Sequence, residues 1–254
     1  MSSSTSAIFS ADDLGTDIVT IHVGPERKAF AIHKNLICNR SDFFSKAFNG
    51  PFKEGIDGTM HLPEDDAQAF SALVVWMYSG QLPPFPNAKF AEDITGSSDY
   101  IFSLMPLFHL SEKLCLNAVT NILMDTIQDL HLKHSREFSS VALKDIYAMT
   151  HQGSKLRTYA VLMIIRKSVH GYRTKPAEDI ALEDFFLLLQ KEPDFARDFI
   201  QLQIRYGHRF QLANGSADAQ FRNSTKGFGR CFFHTHAKSE VCHLGPEPEE
   251  TKGA

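Results

Sequence analysis

Asp-Ile-Val-Thr-Ile-His-Val-Gly (17–24), Ala-Phe-Ala-Ile-His-Lys (29–34), Ser-Asp-Phe-Phe-Ser-Lys-Ala-Phe (41–48) and Trp-Met-Tyr-Ser-Gly-Gln-Leu (76–82) carry the reading of this chain. In the first, Val19, Ile21 and Val23 fall on one side and Ile18, Thr20 and His22 on the other, a period of two rich in β-branched residues that predicts a strand. Gly24 to Lys28 supplies a turn, and Ala29 to Ile32 returns as a second strand, completing a hairpin. A short helix is expected from His33 to Cys38. Ser41 then caps a helix with Phe44, Ala47 and Phe48 on one face, which Gly50-Pro51 stops. Met60-His61-Leu62 reads as a third strand. Asp65 or Asp66 caps a helix carrying Phe70, Leu73, Val74, Met77 and Tyr78 at helical spacing, and Gly80 closes it.

Outward from this stretch the pattern changes. Residues 82–99 hold Pro83, Pro84 and Pro86 followed by Thr-Gly-Ser-Ser and read as an irregular connection. Helical spacing resumes at Ile101 and continues through Leu104, Leu110, Leu114, Val119, Leu123, Ile127 and Leu130. Further helical windows fall at about 139–149, 154–171, 180–191 and 195–211. No period repeats, which argues against a solenoid. The expected organisation is a polar, disordered N-terminus (1–13), a mixed domain with three short strands (14–131), a helical region (132–212) and a flexible tail bearing Cys and His (213–254). The fold class is α+β at the front and all-helical behind.

Composition bounds the function. With 43% hydrophobic and 22% charged residues, the 254-residue chain is of ordinary globular type and long enough to bury a sizeable core. Its 21 Phe against one Trp predict a core rich in ring contacts. A net charge of −4, without a run of more than two adjacent basic residues, argues against nucleic acid as the main partner. The N-terminus shows neither a basic n-region nor an apolar h-region, and the longest apolar run, Tyr159 to Ile165, is far too short to span a bilayer. Four scattered Cys fit a reducing compartment, and the expectation is an intracellular protein, nuclear or cytoplasmic.

At this point Asp17, Val19, Phe30, His33, Lys34, Leu36, Ser41, Phe43, Phe44, Phe48, Leu62, Phe70, Tyr78 and Gly80 resemble, in order and spacing, the pattern of the BTB (POZ) domain. The helical stretch Leu104 to Ile127, with Leu110-Ser111-Glu112-Lys113-Leu114, looks like that domain's closing helical pair. The helical rear half and Cys/His-containing end are similar to compact BTB proteins abundant in fungi. The resemblance implies a short three-stranded sheet with surrounding helices and a role as a protein-binding adaptor rather than an enzyme. It also implies that His33 ties backbone groups at a strand–helix corner. In cullin-binding members a hydrophobic-x-Glu segment after the Ser-x-Phe-Phe helix contributes to the contact, and Phe52-Lys53-Glu54 stands at that place here. The alternative for these residues is a solvated loop with Phe52 capping the core. The family's swapped dimers use an additional N-terminal helix and strand, whereas the residues before Asp17 are mostly polar, so a homodimer is a separate expectation.

Other constellations yield to plainer readings. His33 and Cys38 lack an orienting third group for nucleophilic catalysis. Asp65-Asp66 and Glu178-Asp179 precede apolar helical patterns and suit helix N-termini. Arg166-Lys167 with Arg173 and Lys175 suits a solvated helix end. The strongest chemical signal is the run from Arg230 to His243, in which Cys231, His234, His236 and Cys242 form a candidate ligand set, with His243 as a further donor. Thiolate and imidazole in a tetrahedral arrangement suit Zn²⁺, although the spacing is unlike that of zinc fingers. It supports an alternative function as a zinc-binding regulatory or enzymatic protein. Against it stands a partly ordered tail with Phe232 and Phe233 tucked onto the helices.

Overall fold

A computed structural model describes residues 11–83, 94–134, 138–170, 182–212, 216–223, 227–236, 240 and 242–244. The chain divides into two compact units, Met1–Val119 and Thr120–Ala254.

The first unit is built on the sheet that alternation predicts. β1 (Ile18–Val23) buries Val19, Ile21 and Val23 and turns its other residues outward. It is the central strand of the order β2-β1-β3. β2 (Lys28–His33) pairs with it antiparallel, from Ile18 opposite His33 to Val23 opposite Lys28. β3 (Thr59–Leu62) pairs with it parallel, from Thr20 opposite Thr59 to Val23 opposite Leu62. The parallel pairing needs a crossover, which the helices between β2 and β3 provide.

A single turn, α1 (Ala11–Leu14), begins within the segment expected to be disordered, while residues 1–10 fall outside the described residues. α2 (Lys34–Arg40) and α3 (Asp42–Asn49) follow β2. Ser41 caps α3 by accepting from the Phe44 N–H, as Ser-x-x-Phe spacing allows. Its hydroxyl also donates to the Leu114 carbonyl at 2.8 Å. Phe44 and Phe48 are fully buried and stacked at 6.2 Å, and Phe30 meets Phe70 at 4.9 Å.

α5 (Ala67–Ser79) starts at Asp66, whose carboxylate accepts from the Ala69 N–H at 2.6 Å. Its neighbour Asp65 is buried and paired with Lys113 at 2.7 Å. The adjacent carboxylates therefore do separate structural tasks. Gly80 closes α5 at φ +72°, a left-handed position where glycine is unstrained. The buried arc of α5 is wider than the spacing suggests: Ala69, Ala72 and Trp76 join Phe70, Leu73 and Met77, while Tyr78 is exposed. α6 (Ile94–Lys113) begins inside the segment read as an irregular connection. Propensity misjudged Thr-Gly-Ser-Ser there, and a Pro106 lies inside the same helix. The proline-rich stretch 84–93 lies outside the described residues. α7 (Asn117–His134) follows Cys115, which turns the chain at φ +54°.

In the second unit, α9 (Lys155–His170) is the hub. Leu156, Tyr159, Ala160, Val161, Leu162 and Ile165 are all shut off from solvent, so this helix is apolar nearly all round. α8 (Ser140–Met149) is tied to it by Arg157. The buried guanidinium donates to the Thr150 hydroxyl at 3.0 Å, the Tyr147 carbonyl at 2.8 Å and the Thr150 carbonyl. α10 (Leu182–Lys191) and α11 (Pro193–Leu212) meet through Phe185 against Phe199 at 5.2 Å and Phe195 at 6.1 Å.

The segment expected to be a flexible tail departs most from expectation. α12 (Ala217–Arg222) and a 3-10 turn (Arg230–Phe233) insert Phe221 and Phe233 against Tyr159, at 5.5 and 5.2 Å. Arg166 is spent on this segment, donating to Gln220 at 2.6 Å, and Arg222 pairs with Asp129. Arg173, Lys175, Glu178 and Asp179 lie outside the described residues. Aromatic density, not polarity, decides the order of residues 216–223 and 227–236, because each ring brings a large apolar area to bury.

Candidate functional site

His33 sits where β2 hands over to α2, and the structure gives it a mechanical partner. The Tyr78 hydroxyl accepts from the His33 N–H at 3.2 Å and pairs with Nδ1 at 2.7 Å. Cys38 instead donates to the Phe44 carbonyl at 3.6 Å, and burial pushes its thiol up from the ordinary value. A raised thiol is a poor nucleophile, and His33 is engaged elsewhere.

Phe52, Lys53 and Glu54 do not form the solvated loop of the alternative reading. Lys53–Asp57 is a short helix, α4, with Phe52 at its N-cap position. Phe52 does not cap the core: it is 54% exposed, and Ile56 is 81% exposed. Gly55 lets α4 lie close to α3, since a Cβ there would stand 2.7 Å from the Gly50 carbonyl oxygen. The result is a small protrusion with two apolar side chains beside Lys53 and Glu54. Ile56 was missed because a lone isoleucine between glycine and aspartate carries no periodic signal.

The four cysteine and histidine residues singled out by spacing come together. One ligand atom from each of Cys231, His234, His236 and Cys242 lies within 4.8 Å of all the others. Each interval in Cys-x2-His-x-His has a local cause. The 3-10 turn sets residues three apart on one side, and the His234 N–H donates to the Cys231 carbonyl at 3.1 Å. His234 itself is extended (φ −101°, ψ 157°), so alternation directs residues two apart to one side. Thr235 between them is fixed by the Asn121 side chain, which donates to its carbonyl at 2.9 Å and accepts from its N–H at 2.8 Å.

Asp125 on α7 is the member that spacing could not find. Its two oxygens meet His234 Nε2 at 3.0 Å and His243 Nε2 at 2.9 Å. Burial alone would raise this carboxyl, but the hydrogen bonds from both imidazoles outweigh it and hold the group well below the usual carboxylate range. His234 is 3% exposed, and its Nδ1 faces Cys242 Sγ at 3.4 Å. Both ring nitrogens of His236 are shielded from solvent without a hydrogen-bond partner. Lys155 donates to the Phe232 carbonyl at 3.0 Å, further anchoring the turn.

Among families of known proteins, the BTB/POZ domain model matches residues 15–128. The match covers the hairpin, the His33–Tyr78 corner, the capped α3, the α4 protrusion and α5 through much of α7. The geometry fits: a small mixed sheet of three strands surrounded by helices, followed by a helical C-terminal part. Residues 15–128 of this chain are a BTB/POZ domain.

Proposed function

We propose that this protein works as an adaptor, using its BTB/POZ domain to recruit another protein through the α4 protrusion. The observation that carries the reading is Phe52 and Ile56 standing exposed beside Lys53 and Glu54. Exposed apolar anchors ringed by charge are the composition of a binding surface, where the apolar groups supply affinity and the charges supply register. Glu54 at the hydrophobic-x-Glu position favours a cullin-type ubiquitin ligase scaffold as the partner. A second face supports recruitment of a further protein: Ile200 and Ile204, one turn apart on α11, are both exposed. Self-association is the competing use of the same BTB domain.

Light scattering of the intact chain together with a binding assay against purified cullin N-terminal domains tests the reading. A monomer that binds one cullin, with binding lost on Phe52→Ala or Glu54→Ala, supports it. Equal or absent binding by wild type and both variants removes the cullin assignment. A dimer that both substitutions leave intact, with no recoverable protein partner, removes α4 as the recruiting surface.

A further inference from the structure

Cys231, His234, His236 and Cys242 gather their ligand atoms within 4.8 Å of one another, at the place where the last described segment of the chain lies against α7. We infer that they form a closed structural zinc site, with Asp125 as the carboxylate that orients His234. Tetrahedral Zn²⁺ with Zn–S near 2.3 Å and Zn–N near 2.05 Å separates a sulfur and a nitrogen ligand by about 3.6 Å. Cys242 Sγ and His234 Nδ1 are 3.4 Å apart, close to that separation before any adjustment. The widest pair, at most 4.8 Å apart, must close by about 1–1.5 Å, within reach of side-chain rotation.

The hydrogen bonding of His234 supports the same geometry. Asp125 accepts at His234 Nε2, so the proton of a neutral imidazole belongs there and the Nδ1 lone pair faces the thiol. This is the carboxylate–histidine–metal arrangement, which fixes the ring and strengthens it as a ligand. His236 supplies an independent indication. A shielded imidazole with both nitrogens unpaired is unfavourable, and a metal bond to one of them resolves it. Two thiolates neutralise the ion, which suits a partly buried site. Two sulfurs and two nitrogens in tetrahedral array favour zinc over oxygen-seeking cations.

Four protein ligands leave no position for water or substrate, so the site is structural rather than catalytic. Its effect is mechanical. Three ligands belong to the turn and extended segment that carry Phe233 under Tyr159, and the fourth, Cys242, lies further along the chain. Zinc ties Cys242 to that segment, which the Asp125–His234 bond holds against α7. Loss of the ion releases Cys242 and loosens the packing of the aromatic segment on α9.

The experiment uses the tag-free full chain, purified under reducing conditions with zinc supplied, and elemental analysis for all first-row metals. One zinc per chain is expected, falling to roughly a tenth or less in Cys231→Ser and Cys242→Ser. Chelator lowers the melting temperature by roughly 5 °C or more and strips hydrogen-exchange protection from residues 231–236. Asp125→Asn keeps the stoichiometry but weakens zinc affinity roughly 10–100-fold. Should the cysteine variants fail to fold, Co²⁺ added to metal-depleted wild type gives the thiolate charge-transfer and tetrahedral d–d bands of a two-sulfur site. A reduced wild-type chain that takes up no zinc, shows no such bands and melts unchanged in chelator overturns the inference. One equivalent of a different metal overturns its assignment to zinc.

Discussion

Arg157 shows what a single buried charge does here. Its guanidinium closes the C-terminal end of α8 by donating to two carbonyls and the Thr150 hydroxyl, and it lies 3.8 Å from Asp194. Arg157→Met leaves those carbonyls without their donor and should lower the stability of the intact chain by about 3 kcal/mol, read as an earlier urea midpoint by far-UV circular dichroism. Ser41 has two roles in one hydroxyl, capping α3 and bonding Leu114. Ser41→Ala should cost about 1–3 kcal/mol, and the single tryptophan, Trp76, buried in the same unit, reports it by fluorescence. His131 is buried between Phe138 and Tyr159, and burial pushes its pKa down to about 4. The unfolded chain protonates the ring near pH 6.5, so it binds more protons than the folded chain between those values. Stability is therefore full above about pH 6.5 and falls as pH drops toward about 4, by about 3 kcal/mol in all. The difference in acid titration between wild type and His131→Leu measures this, and parallel curves would refute it.

At the scale of elements, two short pieces matter more than their lengths suggest. α4 is five residues long, yet it sets the exposed anchors, and it holds its place because Gly55 permits close approach to the end of α3. Gly55→Ala should displace α4 and weaken partner binding at least 10-fold, whereas Gly58→Ala, at the open left-handed end of α4, should cost only about 1 kcal/mol of stability. α12 is six residues long and buries Phe221 completely among Tyr159, Phe210 and Phe233. Phe221→Ala should cost about 3–5 kcal/mol, far more than any change in a solvated tail could. Polar composition concealed this element, since its neighbours are Gly, Ser and Asn and one ring per turn makes no periodic stripe.

For the molecule as a whole, the residues that hold the fold differ from those proposed to recruit a partner. The hairpin, the His33–Tyr78 corner and the caps are spent on the BTB/POZ framework, while Phe52 and Ile56 are exposed and contribute little to it. A Phe52→Ser, Ile56→Ser variant should therefore melt within about 0.5 kcal/mol of wild type and still lose partner binding. Unfolding curves and a binding titration on one preparation check both halves of that statement. Among the described residues, no helix is long and apolar enough to cross a membrane.

By itself the sequence determined the parts governed by local rules: the alternation of β1, the Ser41 cap, the glycine end of α5 and the helical windows from α7 to α11. It also named the four cysteine and histidine residues, because chelating spacing is a local property. Tertiary structure alone decided which of Asp65 and Asp66 caps α5, that Phe52 faces outward, that Phe221 and Phe233 pack as core, and that Asp125 stands behind His234. Each of these depends on a neighbour distant in the chain or on how much ring area a segment can bury. Periodicity and propensity hold no information about either.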